Sequence, residues 1–282
     1  MKFLRFGEKG LEKPGVLDAN GQIRDLSSII KDIDGNFFEH TIFLNQQALD
    51  IDKLPIVEQK NLRIGACVAD VGKFIGIGLN YIDHANETGA EIPKEPIIFN
   101  KWTSSIIGPN DDIKIPVNSV KTDWEVELGI IIGKSGSYID IENAMEYVAG
   151  YCVVNDISER EYQLQRGGSW DKGKGCDTFG PIGPWFVTKD EINDPQNLSI
   201  WLEVDGIRYQ NGTTANMIFD VPKLISYVSQ FMSLHPGDII STGTPAGVGM
   251  GQTPPLFLRP NQTLRLGIDG LGEQLQNTVD YK

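Results

Sequence analysis

A chain of 282 residues, 40% hydrophobic and 22% charged, can bury one large core or two unequal ones, which argues against intrinsic disorder. Its 25 Lys and Arg stand against 38 Asp and Glu, a net charge of -13, so no nucleic-acid or anionic-membrane partner is expected. With 31 glycines and 15 prolines, turns and short strands are favoured over long helices, and a β-rich, enzyme-like domain is expected rather than a bundle.

In chain order, the first residues lack the apolar core of a secretory signal, and no stretch approaches the ~20 apolar residues that would span a bilayer. A cytoplasmic location is expected. Cys67, Cys152 and Cys176 are odd in number and widely spaced, and read as reduced thiols. Residues 3–6 and 14–17 read as strands, with Asn20-Gly21 marking a tight hairpin, and residues 51–61 read as a connection. Glycine punctuation begins at Phe74-Ile75-Gly76-Ile77-Gly78-Leu79-Asn80-Tyr81, which lacks the third glycine of a dinucleotide fingerprint. Gly129 to Ser135 falls short of a phosphate-binding P-loop, its glycines being one residue too close and inside a strand pattern.

Four segments carry residues suited to chemistry. In Tyr81-Ile82-Asp83-His84-Ala85-Asn86-Glu87, a helical turn puts His84 and Glu87 on one side, so the carboxylate can fix the imidazole tautomer for a water-activating base. The alternative is a surface histidine with an incidental ion pair. Asp123-Trp124-Glu125-Val126-Glu127-Leu128 alternates with period two, predicting a strand that is half buried at first and fully buried through Ile130 to Ile132. Its carboxylates repel one another unless a cation joins them. Carboxylate oxygens without nearby His or Cys pairs suit Mg²⁺, with Mn²⁺ or Ca²⁺ as alternatives, and Asp156 at the end of strand 151–154 is the obvious third ligand. An exposed acidic face on an antiparallel strand is the other reading. If a helix starts at Asp156, Arg160 and Gln163 follow one and two turns along one face. Lys174, between two glycines, reads as an exposed cation that could contact an oxyanion, or as part of a solvated charged loop.

Further along, residues 142–148 have helical character, and Asp205-Gly206 sets the clearest hairpin. Residues 220–232 predict a helix with Pro222 in its first turn and Leu224, Ile225, Val228 and Phe231 on one face. A strand at Ile239-Ile240 then enters a glycine-rich loop from Thr242 to Gly249. His40 and His235 have no carboxylate neighbour of the His84 kind and read as structural.

Taken together, Gly78 to Tyr81 with His84 and Glu87, Pro96 to Lys101, Asp123-x-Glu125-x-Glu127-Leu128, Asn155-Asp156 with Arg160 and Gln163, Lys174 to Pro181, and Gly243-Thr244-Pro245 with Gly247-Val248-Gly249 resemble, in order, the fumarylacetoacetate hydrolase family. The resemblance covers about residues 72–282 and is greatest to a bacterial branch with 2,4-diketo-3-deoxy-fuconate or -rhamnonate hydrolases and proteins labelled ureidoglycolate lyase. It implies an α+β, β-rich fold, a mixed β-sandwich roll with peripheral helices. A small N-terminal domain over 1–70 would precede a catalytic domain over 71–282, usually in a homodimer, with dimer versus tetramer left open. It also implies that Glu125, Glu127 and Asp156 hold Mg²⁺, that His84 and Glu87 activate water, that Lys174 stabilises an oxyanion, and that Tyr81, Arg160, Gln163 and Thr244 line the substrate site. Fumarylacetoacetase itself has another metal-binding Asp seven residues before the His, where Ile77 stands here.

The implied reaction is metal-dependent hydrolysis of a C–C bond in a 2,4-diketo acid, an acylpyruvate or diketo-deoxy sugar acid, releasing pyruvate. Lysis, isomerisation or decarboxylation of a 2-keto acid would use the same site, and a non-catalytic metal-binding module is a further alternative. The tail-reading residues are expected in loops 88–95 and 167–169 and in the N-terminal unit.

Overall fold

The computed structural model describes residues 1–39, 50–58 and 60–282, so His40 lies outside the described residues. Three N-terminal strands, β1 (Lys2–Phe6), β2 (Lys13–Leu17) and β3 (Ile23–Asp25), form an antiparallel meander. In the expected turn, Asp18 accepts the backbone N–H groups of Asn20 and Gln22, and Gly21 takes φ 76°. After α1 (Gly35–Glu39), β4 (Phe74–Gly78) runs into α2 (Ile82–Thr88), followed by β5 (Ile97–Lys101), β6 (Ile106–Ile107) and β7 (Ile113–Ile115).

The acidic segment divides into β8 (Thr122–Asp123) and β9 (Val126–Ile132). A run of 3-10 turns, Ile141–Tyr147, stands where helical character was expected, and leads into β10 (Val148–Asn155). Asp156 does not start a helix. The chain first pairs β11 (Ser158–Glu159) with β8, and only then forms α3 (Arg160–Gln165) and α4 (Asp171–Lys174). The remaining elements are β12 (Gly180–Thr188), β13 (Ser199–Val204), β14 (Ile207–Thr213), α5 (Val221–Val228), β15 (Ile239–Ser241), β16 (Thr263–Ile268) and β17 (Gly272–Asp280).

The β13–β14 hairpin turns at Asp205 (φ 50°) and Gly206 (φ 79°), the two left-handed residues that a two-residue turn between twisted strands demands. Asp220 caps α5 by accepting the Lys223 N–H, and Leu224, Ile225 and Val228 are buried. Phe231 is not part of that face: the helix ends at Val228, leaving the ring 62% exposed against Tyr227.

The main sheet runs β3-β2-β1-β12-β10-β9-β15-β4-β5, with β6 added beside β12, and a second sheet runs β14-β13-β16-β17-β7. Most pairs are antiparallel, whereas β15–β4, β12–β6 and β17–β7 are parallel, so both sheets are mixed and open. One apolar cluster joins them, including Val126, Leu128 and Val153 of the first sheet and Ile200, Leu202 and Leu266 of the second. On the main sheet's other side, Phe3 and Val16 share a cluster with Ile131, Cys152 and Phe186, so the N-terminal strands continue this sheet. Among the described residues no helix is long and apolar enough to cross a membrane.

Candidate active site

Because β9 and β10 run antiparallel with Val126 opposite Asn155, the start of one lies beside the end of the other. The Asp156 N–H donates to the Glu125 carbonyl, locking the two ends together at 2.8 Å. Side chains two apart on a strand share a face, so Glu125 and Glu127 project together and Asp156 joins them from the next strand. One carboxylate oxygen of each lies within 4.8 Å of the others. The expected half-exposed acidic face is instead wholly buried, because β9 is an inner strand between β10 and β15 and Glu127 is bonded to the glycine-rich loop.

Asp123 does not join the three. It accepts from the backbone of Gly249 and Met250 and from Arg160 Nε, fastening that loop and α3 to the strand. Glu127 Oε2 accepts from Ser241 Oγ at 2.6 Å and from the Gly243 N–H at 2.9 Å, while its other oxygen carries no hydrogen bond among the described residues. Gly243 has φ 91°, and a Cβ there would stand 2.8 Å from Asn80 Cβ, so this donor position is built for glycine. Asn80 clamps the same loop by donating to the Thr242 carbonyl.

Lys174 is buried, not exposed as expected. Gly173 and Gly175 act as notches rather than hinges: a Cβ at Gly173 would meet the Glu159 carbonyl at 2.5 Å, and one at Gly175 would meet Trp102 at 2.0 Å. Close approach sinks α4 against α3, and Lys174 Nζ reaches Glu125 Oε2 at 2.6 Å and Asp156 Oδ2 at 2.8 Å. Arg160 donates from Nε to Asp123 and from Nη1 to Gln163 Oε1. Its Nη2 lies 2.7 Å from Glu125 Oε1 but is not aligned as a hydrogen bond.

His84 is buried on α2, its Nδ1 3.4 Å from Glu87 Oε2, and Glu87 Oε1 accepts the Gly247 N–H at 2.9 Å. The pair is therefore tied to the glycine-rich loop, not free at the surface. Thr244 Oγ1 donates to the Val126 carbonyl and accepts from Gln210. Glu125, Glu127, His84, Arg160, Gln163, Lys174 and Thr244 line one cavity of about 240 Å³. Tyr81, expected among the substrate contacts, lies in the main core outside that lining, its hydroxyl without a hydrogen-bond partner. His235 is exposed and lies outside the cavity lining, and its backbone N–H donates to Asp238.

Sequence reasoning assigned no role to Lys101. Its buried Nζ donates to Asp156 Oδ1 at 2.5 Å, to the Lys174 carbonyl at 2.5 Å and to the Ile157 carbonyl at 3.3 Å, joining β5 to the acid cluster and to α4. The only signal was a lysine closing a strand that begins Ile97-Ile98-Phe99. Phe99, Leu79, Trp170 and Met250 were likewise missed as lining residues.

The electrostatics favour a cation here. Four buried acids, Asp123, Glu125, Glu127 and Asp156, face three buried bases, Lys101, Arg160 and Lys174. Burial opposes ionisation of Glu125, but Lys174, Arg160 and His84 overcome it and hold the carboxyl well below its usual range. At Glu127, burial and the neighbouring Asp156 and Glu125 all act the same way and push the carboxyl well up. Glu127, the carboxyl that lacks a cation of its own, is thus the one whose ionisation a bound cation would favour, and it lines the cavity with one oxygen free of hydrogen bonds among the described residues. An all-oxygen set of three carboxylates suits a hard divalent ion.

Residues 73–280 match the model of the fumarylacetoacetate (FAA) hydrolase C-terminal domain, and the chain belongs to the fumarylacetoacetate hydrolase family. A curated protein of Burkholderia ambifaria, named as a hydrolase with no substrate stated, is 63% identical over 279 residues, covering 99% of both chains. The fold is that of the fumarylacetoacetate hydrolase of Exiguobacterium antarcticum (TM-score 0.89, 33% identity, full coverage of both chains). It is also shared with a maleylpyruvate hydrolase of Sphingobium sp. SYK-6 solved with manganese(II) and pyruvate (TM-score 0.83, 27% identity, full coverage of both chains).

Proposed function

We propose that this protein is a divalent-metal-dependent hydrolase that cleaves the C–C bond between two carbonyl groups of a 2,4-diketo acid and releases pyruvate. The observation that carries this reading is the meeting, in one cavity, of Glu125, Glu127, His84 and Lys174, with Asp156 completing the acid cluster behind the lining and Glu87 standing behind His84. The similar Sphingobium protein, with manganese and pyruvate bound, supports it.

When bound by Glu125, Glu127 and Asp156, Mg²⁺ or Mn²⁺ would supply Lewis-acid polarisation of a 2-keto acid. His84, oriented by Glu87, takes a proton from water, whose oxygen attacks the distal carbonyl carbon. An ammonium has three N–H donors; two of Lys174's are spent on Glu125 and Asp156, and the third stabilises the oxyanion. The bond between that carbon and the pyruvyl methylene then breaks, its electron pair leaving with the methylene, which takes a proton. The products are a carboxylic acid and pyruvate. Arg160 Nη2, the unaligned donor, is placed to turn toward the substrate carboxylate.

The test is an ultraviolet assay on a panel of acylpyruvates, diketo-deoxy sugar acids and oxaloacetate, with pyruvate measured by a coupled dehydrogenase. Pyruvate release that depends on added Mg²⁺ or Mn²⁺ and stops on chelation is expected. Absence of pyruvate from every diketo acid would overturn the reading. Replacing His84 and Glu87 should abolish hydrolysis; a decarboxylation that survived the replacement would reveal the alternative chemistry of the same site.

A further inference from the structure

Beyond the acid cluster the cavity wall is apolar, built largely from Ile77, Leu79, Phe99, Leu164, Trp170 and Met250. Its two cations, Arg160 and Lys174, are already turned to Asp123, Glu125 and Asp156. Lys172, the next cation in sequence, is outside the lining, with Nζ donating to the Arg166 carbonyl, and Arg166 is bonded to Glu161. The donors that Arg160 Nη2 and Lys174 still keep are the ones the keto-acid head takes in the proposed reaction, and the described lining holds no further lysine or arginine for a second carboxylate.

The glycines of β4 form the seat of this wall. A Cβ at Gly76 would stand 2.2 Å from Phe99 Cζ, and one at Gly78 would stand 2.3 Å from Trp170 Cζ3. Both rings therefore rest directly on the strand backbone, their centroids 5.7 Å apart. The Gly-x-Gly pattern, which is no phosphate loop, has a packing purpose: it makes room for two aromatic rings beside the acid cluster.

Resting on the keto-acid reading of the site, we infer that this wall selects a small, uncharged, apolar acyl tail and rejects a second carboxylate or a polyhydroxylated tail. A terminal carboxylate would lose its water against Phe99, Trp170 and Met250 without gaining a cation, and would share the cavity with Glu125 and Glu127. Sugar hydroxyls would lose water against Phe99, Trp170 and Met250, with Thr88, Gln163 and Thr244 as the lining's few uncharged hydroxyl and amide partners. At about 240 Å³ the cavity is small for a ligand site, which limits the tail's length.

The experiment is calorimetric titration of the Mn²⁺-loaded protein with 2-oxohexanoate, 2-oxohexanedioate and a 2-oxo-3-deoxyhexonate, alongside turnover of acylpyruvates with matching tails. The apolar acid should bind about tenfold or more tightly than either other acid. Trp170→Ala should weaken it by a similar factor, with Mn²⁺ affinity unchanged and the circular dichroism spectrum of the parent retained, and Trp170→Phe should restore much of the loss. Equal or tighter binding of the dioate or the hydroxylated acid, or binding of none of the three, would overturn the inference. Rapid pyruvate release from a dioate substrate would overturn it while leaving the hydrolase reading intact. Preference for the apolar acid with no pyruvate formed from any diketo acid would support it and overturn only the proposed reaction.

Discussion

Two ammonium groups flank Asp156, and their remaining contacts separate their roles. Lys101 spends all its donors on Asp156 and two backbone carbonyls and does not line the cavity. Burial pushes its pKa down, and the neighbouring Asp156 carboxylate opposes that shift. Lys101→Met leaves Asp156 with Lys174 as its one ammonium partner and leaves the Lys174 and Ile157 carbonyls without this donor, and a loss of about 1–3 kcal/mol in urea unfolding is expected. Lys174 keeps a donor and lines the cavity. Lys174→Ala, loaded with Mn²⁺, should therefore stay folded by circular dichroism while losing on the order of 10²-fold or more in rate. Glu125→Gln tests the ligand set directly: unchanged Mn²⁺ affinity by calorimetry, with full metal-dependent turnover, would remove Glu125 from it.

At the scale of elements, the site depends on how closely short pieces approach one another. Helix α4 is only four residues long, yet it places Lys174 because Gly173 lets it meet the backbone of Glu159 and Gln163. A methyl at Gly173 would collide with the Glu159 carbonyl at 2.5 Å and the Gln163 nitrogen at 2.6 Å, atoms that no rotamer change can move. Gly173→Ala should cost about 1–3 kcal/mol in thermal unfolding and lower turnover, since Lys174 must shift with the helix. A melting temperature and rate equal to the parent would show that α4 can slide without consequence. This same dependence explains what the sequence made legible. The Asn20-Gly21 and Asp205-Gly206 hairpins and the helix with Pro222 in its first turn and Leu224, Ile225 and Val228 buried follow from neighbours a few residues away, and they stand as expected. The burial of Lys174, the place of Lys101 and the aromatic rings on Gly76 and Gly78 depend on partners brought in by sheet topology. Local pattern reads a glycine beside a lysine as looseness, whereas the fold uses it as a notch. Phe231 failed for a related reason: periodicity cannot tell that α5 ends at Val228.

Across the whole molecule, the N-terminal strands extend the main sheet, and ion pairs fasten the neighbouring loops. Arg63 donates from Nη1 to Glu12 and the Gly7 carbonyl, and from Nε and Nη2 to Asp111, so one guanidinium ties the first turn to the segment after β6. Burial would raise the pKa of both carboxyls, but Arg63, aided by backbone N–H groups, brings each below its ordinary value, 4.5 for Glu12 and 3.8 for Asp111. A depressed folded-state pKa stabilises the fold most where the unfolded chain is already ionised, which is above pH 4.5 here. As pH falls through 4.5 and then 3.8, the unfolded chain takes up protons first, and the contribution is lost as the folded carboxyls finally protonate. Arg63→Met should accordingly unfold at lower urea than the parent at neutral pH, with the gap closing below pH 3.8. Comparing variant with parent at each pH isolates this cluster from the molecule's other carboxylates. A gap of constant size from neutral to acid would show that Arg63 stabilises by packing alone and that Glu12 and Asp111 do not sense its charge.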